Sequence, residues 1–491
     1  MATSFDNARN IIGGAASERA ERFAHDEDLR PLDSAVGRIV KENIDSPIST
    51  PTFDSVAING YAVIASQVSR ATAERPMRLR CMGMMKAGDQ PLQVDDRVVD
   101  GMVCCIETTV GAAFPTAKST GRPFDSIVPR EHAEVIQEGG SGRILQIIRL
   151  PLTSWHKRIT GSDFRKGDRI LDRGMAIAPK YAMALASVGV RQVSVTRQVR
   201  VGVVSIGGEL QSTVINQQAL RYKIPDATGP FLTAAVREMG EDAEYLGVLP
   251  DDANVLTAFI YDKLENNQFD VFVTTGGINK STPCSVETTI CNLGGKMHLQ
   301  NVAMQPGGSL LFASLPEPII AHTQQSPPSF YGSGPTTPNV WSPPQTSAKN
   351  ISVQPVIFAL PGSPIASACC FRFLVTPYIR ALIGMQAESA ILARVASTQS
   401  ATAYSRLYDR PSTTTTSNET IVDGSMEYDT FRHAILKSQH DGVSVEVAKE
   451  RSPAKASPFA SSNCWMHVPR GHMSVGDGDL TNIYPFCSPK S

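Results

Sequence analysis

The chain has 491 residues, of which 42% are hydrophobic and 19% are charged, and its formal net charge is −1 at pH 7. This composition is that of a globular protein and excludes a disordered or fibrous chain. Because there is neither a basic surplus nor a basic helix, we expect no nucleic-acid partner and no attachment to a membrane. At roughly 100–200 residues per domain, the length predicts about three or four domains.

The nine cysteines are expected to be reduced thiols. None forms a C-x-x-C pair, their number is odd, and several lie in apolar runs such as residues 368–371. The amino terminus lacks the apolar core of a signal peptide, and no apolar run approaches the ~20 residues of a membrane-spanning helix. We therefore expect a cytoplasmic protein in a reducing compartment.

In the first part of the chain, sequence patterns typical of helices alternate with patterns typical of β-strands. Residues 1–49 predict a polar helix with Ala16, Ala20 and Phe23 on one face, followed by a short helix over residues 31–40. Residues 50–146 have short apolar runs separated by Gly, Pro and Asp, which is typical of a β-rich module. Residues 147–196 are mixed and end in a helix over residues 181–187, before Gly189.

From residue 199 the pattern is that of an α/β domain. Apolar runs at 199–205, 244–248, 270–275 and 356–360 predict buried strands. Four helices are predicted. The first covers 228–239 with Thr228 as its cap, and the second covers 254–264. The third begins after a cap at Ser281 or Thr282, and the fourth covers 364–382. Alternating strands and helices predict a three-layer sheet domain with right-handed crossovers.

Two segments lack periodicity. Residues 322–352 are rich in Pro, Ser, Thr and Gln, and we expect a disordered or loosely packed insertion there. A second such tract, 412–417, lies in a C-terminal region of short predicted strands.

Nine blocks of the sequence, in order across nearly the whole chain, resemble the molybdopterin molybdenumtransferase family, which includes MoeA and the E domain of gephyrin. The first reads P-T-F-D-S-V-A-I-N-G-Y-A-V, similar to the family's P-x-F-D-x-S-x-M-D-G-Y-A-V. One such motif is weakly specific, whereas nine in register make a chance match improbable. The blocks lie at residues 49–63, 108–115, 124–131, 161–163, 205–210, 250–252, 274–277, 304–307 and 360–364.

The resemblance implies an α/β multidomain fold and a homodimer. Its four domains would be an elongated linker and dimerisation domain (1–50 plus 147–196), a β-rich domain (51–146), an α/β/α molybdopterin-binding-like domain of MoaB/Mog type (197–384, with the insertion 322–352) and a C-terminal β domain (385–491). The α/β/α domain would bind the pterin. The β-rich domain of a second copy would close the site and bring Asn59 toward it.

The sequence departs from the family at charged positions. The family reaction hydrolyses an adenylylated pterin and places molybdate on its dithiolene, which needs carboxylates for a divalent metal and cations for an oxyanion. The resemblance therefore makes molybdopterin and magnesium the implied cofactors, but their ligands are largely lost, and we predict no metal ligands. The neutral or reversed replacements of charged residues are Asn59, Gly208, Thr282, Cys284, Glu287, Gln305 and Gly308, and Ile206 replaces a threonine.

The backbone features of a small-molecule site remain. Two strand-to-helix turns carry glycines whose backbone N–H groups can face an anion at a helix amino terminus. A cleft at the carboxyl ends of the strands is the expected consequence. The predicted binding residues are Thr274, Thr275, Gly276, Gly277, Lys280, Pro361, Gly362, Ser363 and Pro364.

Three residues are candidate catalysts, and two of them, Glu209 and Asp226, have a structural alternative. Glu209 is a general acid or base or else a turn cap; Asn59 is a hydrogen-bond donor; Asp226 is a catalyst or else a helix-start carboxylate. Cys284 is a nucleophile near a helix amino terminus or else an inert thiol, and Lys280 is an anion ligand or a solvated loop lysine.

These departures favour a MoeA-like protein related to molybdenum cofactor biosynthesis that has diverged into an enzyme for another small molecule. A cyclisation, dehydration or isomerisation would suit one carboxylate and one hydrogen-bond donor. Two alternatives stay open: a genuine molybdopterin molybdenumtransferase, and a non-catalytic pterin-binding or scaffolding protein.

Overall fold

The computed structural model describes residues 2–24, 27–72, 74–98, 101–139, 142–148, 154, 156–211, 222–266, 268–278, 285–317, 353–396, 422–439, 442–448, 452 and 454–486. Lys280, Cys284, the predicted caps Ser281 and Thr282, and the segments 322–352 and 412–417 lie outside these residues.

The predicted N-terminal helix is present as α1, Phe5–Ala24, and it buries Ala16 and Phe23. The second predicted helix is wrong for most of its length. The segment Glu27–Pro31 is a strand, and only Leu32–Ala35 is helical. The helix ends there because Val36 is extended and Gly37 takes a left-handed φ of 83°. The helix predicted before Gly189 is present as α2, Pro179–Ser187.

The β-rich region contains a six-stranded sheet. Its strands are β1 (Gly60–Val63), β2 (Met77–Met85), β3 (Val103–Thr108), β4 (Ser126–Pro129), β5 (Ala133–Gly139) and β6 (Gly142–Ile147). They are ordered β4-β1-β3-β2-β6-β5, and only β2 and β3 pair in parallel. Alternate residues of the central strands enter two separate apolar clusters, one on each face.

The α/β region is built on a second six-stranded sheet, ordered β8-β7-β9-β12-β11-β10. Its strands are β7 (Arg200–Ile206), β8 (Asp242–Leu249), β9 (Val271–Thr275), β10 (Lys296–Gln300), β11 (Leu311–Ser314) and β12 (Val356–Leu360). The strands β8, β7, β9 and β12 are parallel, so their carboxyl ends share one edge. The strands β10 and β11 run antiparallel at the other side.

Helices cover both faces of this sheet, which gives the predicted three layers. They are α3 (Thr228–Glu238), α4 (Ala253–Glu265), α5 (Ser285–Asn292) and α6 (Pro364–Leu382). The helices α1, α3 and α6 pack with β7, β9 and β12 in one apolar cluster, and α4 and α5 contribute to the cluster on the opposite face. The strands are hydrophobic on both faces because both faces are covered.

Helix α6 corrects the expectation that no apolar segment reaches membrane-spanning length. With 19 residues, this helix is long and apolar enough to cross a membrane by length and composition. However, 83% of its most apolar 18-residue stretch is buried inside the protein. The helix is therefore packed as a core element between the sheet and the C-terminal strands.

The C-terminal region forms a closed ring of five strands. These are β13 (Ile391–Val395), β14 (Asp429–Gln439), β15 (Gly442–Val447), β16 (Cys464–Val468) and β17 (Leu480–Pro485). Strand β14 pairs with both β15 and β16, and β13 and β17 complete the circuit. The four domain boundaries given above remain predictions.

Candidate functional site

A cleft of about 500 Å³ opens at the carboxyl ends of β7, β9 and β12; we call it the strand-end cleft. The sequence predicted a cleft at this edge, because the parallel strands all end there. It brings together nine of the predicted site residues, namely Glu209, Asp226, Thr275, Gly276, Gly277, Pro361, Gly362, Ser363 and Pro364.

The glycine turn after β9 depends on the absence of a side chain. Gly276 and Gly277 have φ angles of 88° and 69°, in the left-handed region that favours glycine. A Cβ at Gly276 would lie 2.1 Å from the carbonyl oxygen of Ile206. The turn can therefore pass close to the end of β7 only with glycine at this position.

The two threonines at the end of β9 have different surroundings. Thr275 donates a hydrogen bond to the carbonyl oxygen of Pro361 over 2.9 Å and lies 3.3 Å from the hydroxyl of Ser367. It thereby ties the glycine turn to the start of α6. Thr274 is 1% exposed and does not line the cleft, so it faces the sheet interior rather than a ligand.

The amino end of α6 points into the cleft from Pro361 to Pro364. Pro364 is the first helical residue, and Ser363 occupies the cap position without using its side chain as a cap. Backbone N–H groups at such a helix start carry a partial positive charge and suit an anion.

The carboxylate of Asp226 is held by four hydrogen bonds. Its Oδ2 accepts from the hydroxyls of Ser205 at 2.5 Å and Tyr245 at 2.7 Å. Its Oδ1 accepts from the backbone N–H groups of Thr228 at 3.0 Å and Gly229 at 3.2 Å. Asp226 lies one residue before the cap position Ala227 and, rather than the predicted Thr228, supplies the side chain that accepts from the first N–H groups of α3. Its contacts favour a positioning role over proton transfer.

Two further carboxylates border the strand-end cleft. Glu209 is exposed, and its carboxylate folds against Gly207, where an added Cβ would lie 2.7 Å from Oε2. Asp251 is also exposed, whereas its neighbour Asp252 caps α4 through the N–H groups of Asn254 and Val255. The exposed carboxylate of Glu209 is consequently better placed than Asp226 for exchange of a proton with a ligand.

Besides Thr274, one described residue of the predicted site, Asn59, does not line this cleft. Lys280 lies outside the described residues. Asn59 lies just before β1, where its Oδ1 accepts a hydrogen bond of 2.9 Å from the N–H of Val110. It is absent from the lining of the strand-end cleft in its own chain.

A second pocket of about 550 Å³, which we call the C-terminal pocket, adjoins the first. The two share Ser309, Pro361 and Ser363, and we call the two pockets together the groove. The far wall comes from β14 and includes Arg432 and His433. Sequence reasoning missed both residues, although a basic pair in an otherwise apolar strand segment was a usable signal.

The C-terminal pocket contains positions at which the family's lysines are replaced. Gln305 and Gly308 both line it, so this wall is neutral. Burial, followed by the charge of Arg432, lowers the pKa of His433, whose Nδ1 lies 2.9 Å from the hydroxyl of Ser462. His433 is therefore neutral near pH 7, and Arg432 supplies the positive charge of the pocket.

The described residues do not fit a resident divalent metal. Within the described ranges no group of three His, Cys, Asp or Glu side chains is placed to bind one. The carboxylate of Asp226 is already engaged by four donors.

Comparison with known proteins relates the whole chain to one family. Residues 3–189 match the model of the MoeA N-terminal region (domain I and II), and residues 202–381 match that of a probable molybdopterin binding domain. The chain is 23% identical over 459 residues to the molybdopterin molybdenumtransferase of Haemophilus influenzae, covering 93% of each chain. The Synechococcus elongatus enzyme of the same name is 28% identical over 288 residues, covering 58% of this chain and 67% of that one.

A solved structure supports the same fold. The molybdopterin biosynthesis MoeA protein from Pyrococcus horikosii superposes with a TM-score of 0.68 over 99% of both chains, at 21% sequence identity. The predicted multidomain α/β architecture is thereby confirmed. The two family models and these relatives together show that the chain belongs to the MoeA family of molybdenum cofactor biosynthesis.

Proposed function

We propose that this chain is a molybdopterin molybdenumtransferase that acts on an adenylylated molybdopterin in the groove formed by the strand-end cleft and the C-terminal pocket. This proposal depends mainly on one observation: Arg432 lines a pocket that shares three residues with the strand-end cleft. A cation thus reaches the groove from β14, a part of the chain that the family motifs quoted above do not include. The names of the relatives favour this function over a diverged reaction.

Each part of the groove suits one part of such a substrate. Backbone N–H groups at the start of α6 suit the phosphates of the pterin and its adenylate. Arg432 suits the oxyanion that is to be inserted, because a guanidinium matches the geometry of tetrahedral oxyanions. The two pockets together exceed 1,000 Å³ (about 500 and 550 Å³), enough for a nucleotide-sized ligand.

We assign Glu209 the role of general base in this reaction. Cleavage of the adenylate needs a water molecule that loses a proton as it attacks phosphorus. Glu209 is exposed at the cleft and carries the carboxylate that the turn at Gly207 directs there. We assign Asp226 to positioning, since its four hydrogen bonds fix the start of α3 beside the cleft.

We further propose a cytoplasmic homodimer in which Asn59 of a second copy closes the groove. In this chain the Asn59 amide is held by the N–H of Val110, so its NH₂ group is left to face outward. The loop that carries it lies in the β-rich region and outside both pockets of its own chain.

One specific observation favours the alternative function, an enzyme that has diverged to act on another small molecule. Gln305 and Gly308 make one wall of the C-terminal pocket neutral, and Asn59 replaces an aspartate. A neutral small molecule would tolerate that wall better than an unpaired dianion would, because buried charges need countercharges.

Complementation of a strain that lacks its molybdenumtransferase separates these functions. We expect the wild-type chain to restore nitrate reductase activity and the Arg432→Gln variant not to restore it. Arg394→Gln is the matched control, because Arg394 lies on β13, contacts the carbonyl of Gly478 and lines neither pocket. If the wild-type chain is expressed and folded but restores nothing, the transferase proposal fails, and retained binding of molybdopterin would then identify a scaffolding protein.

A further inference from the structure

Cys81 and Cys105 face each other across two neighbouring strands of the β-rich sheet. They are directly paired in the parallel register of β2 and β3. Neighbouring strands lie about 4.8 Å apart, within the Cα separation of roughly 4.4–6.8 Å that a disulfide bridges. A covalent bond between the two sulfurs therefore needs only a small local movement.

The two side chains lie on the same face of the sheet. Cys105 belongs to the apolar cluster that contains Leu79 and Val103, and Cys81 packs against that cluster. The adjacent Cys104 belongs to the cluster on the opposite face. Alternation along β3 thus selects Cys105, and not Cys104, as the partner of Cys81.

The pair sits beside an irregularity that exposes one sulfur. The register of β2 shifts between Cys81 and Met84, so β2 carries an extra residue there. Met82 is 53% exposed and Cys81 is partly exposed, whereas Cys105 is fully buried. The extra residue allows the backbone of β2 to shift locally. A small oxidant in solution can reach only the Cys81 sulfur of the pair.

The environment also favours the thiolate of the exposed partner. The thiol of Cys105 donates to the Cys81 sulfur, and this hydrogen bond is the main reason that the pKa of Cys81 falls to about 6. The same contact, together with burial, raises the pKa of Cys105. Cys81 is thus the nucleophile at neutral pH and Cys105 stays protonated.

We propose that Cys81 and Cys105 form a reversible disulfide, with Cys81 as a hydroperoxide-reactive thiolate and Cys105 as the resolving thiol. The Cys81 sulfur attacks the O–O bond of a hydroperoxide ROOH; an S–O bond forms, the O–O bond breaks, and the released RO⁻ takes a proton to become ROH. The Cys105 sulfur then attacks the Cys81 sulfur, the S–S bond forms, and the sulfenic oxygen leaves as water with the Cys105 proton. The cysteine pair loses two electrons, and an added dithiol reduces the disulfide back to two thiols while it becomes a disulfide itself.

Peroxide treatment of the full-length protein tests this proposal. With one equivalent of hydrogen peroxide at pH 7, we expect the denatured chain to lose two of its nine titratable thiols and to regain them with dithiothreitol. Peptide mapping should link the Cys81 peptide to the peptide of Cys104 and Cys105. The Cys104→Ser variant should behave as the wild type, Cys81→Ser should keep its remaining thiols, and Cys105→Ser should accumulate a dimedone-trapped sulfenic acid at Cys81.

Two outcomes would overturn the proposal. One is a folded wild-type protein that retains all nine thiols after peroxide treatment; the other is a bridge that persists in Cys105→Ser or disappears in Cys104→Ser. Because Cys105 is fully buried, the Cys105→Ser result counts only if its circular dichroism matches the wild type. If the Cys105→Ser variant does not fold, the thiol count of the wild-type protein, which needs no variant, decides whether the disulfide forms.

Discussion

The phenol of Tyr245 donates a hydrogen bond of 2.7 Å to Asp226, joining an edge strand of the α/β sheet to the start of a helix. The same carboxylate oxygen also accepts from Ser205 on β7. One aspartate therefore fixes β7, β8 and α3 relative to one another at the mouth of the strand-end cleft. Burial, followed by this hydrogen bond, raises the pKa of Tyr245.

Replacement of Asp226 by alanine should destabilise the fold. It removes a helix cap and leaves the hydroxyls of Ser205 and Tyr245 without their acceptor, so we expect the free energy of unfolding to fall by about 2–4 kcal/mol. Urea unfolding followed by circular dichroism measures this change. Asp251→Ala is the control, because Asp251 lines the same cleft but is exposed, and it should change stability by less than about 0.5 kcal/mol. Equal effects of the two variants would contradict the positioning role.

Gly276 and Gly362 form a second matched pair, since both line the strand-end cleft. A Cβ at Gly276 would meet the Ile206 carbonyl at 2.1 Å in a left-handed backbone, whereas the nearest atom to a Cβ at Gly362 is 3.7 Å away. We expect Gly276→Ala to cost about 3 kcal/mol or more in thermal or urea unfolding, and Gly362→Ala to cost less than about 1 kcal/mol. A stable Gly276→Ala protein would refute the tight approach of this turn to β7.

Much of the α/β region was predictable because its signals are local. Buried parallel strands appear as continuous apolar runs, and those predicted at 270–275 and 356–360 are confirmed as β9 and β12. The cleft follows, because a strand's carboxyl end and the glycine turn after it are adjacent in sequence. The short helix over 31–40 failed beyond Ala35 because Ile39 and Val40 form β-bridges with Ala176 and Val195, residues distant in sequence that hold the backbone extended.

The C-terminal pocket could not be predicted in the same way. Arg432 and His433 come to the groove only because β14 closes a ring of strands against the start of α6. No local pattern shows that residues about 70 positions apart, such as Ser363 and Arg432, line the same pocket. The family motifs of this chain have lost cationic residues, whereas the groove as a whole contains one in Arg432.

The neutral state of His433 gives the C-terminal pocket a defined pH response. Because burial lowers the pKa of this imidazole below its usual 6.5, the ring gains charge only as the pH falls below that value. Binding of sulfate, a tetrahedral dianion whose charge is constant here, should be unchanged between pH 8 and 7 and should tighten below about pH 6. Isothermal titration calorimetry measures it. The tightening should vanish in His433→Gln; if it persists there, another group carries the response.

The thiolate of Cys81 gives a pH response that can be followed without peroxide. An acid with a pKa lowered to about 6 is ionised above that pH, so the alkylation rate at Cys81 should rise through about pH 6 and level off by about pH 7. Iodoacetamide labelling with peptide mass spectrometry reports the rate at each cysteine. Since the thiol of Cys105 is the largest cause of the shift, Cys105→Ala should move the midpoint upward toward 9, whereas Cys104→Ser should leave it in place. A midpoint that stays near 6 in Cys105→Ala would assign the lowered pKa to the backbone N–H groups of Gly83 and Glu107 instead.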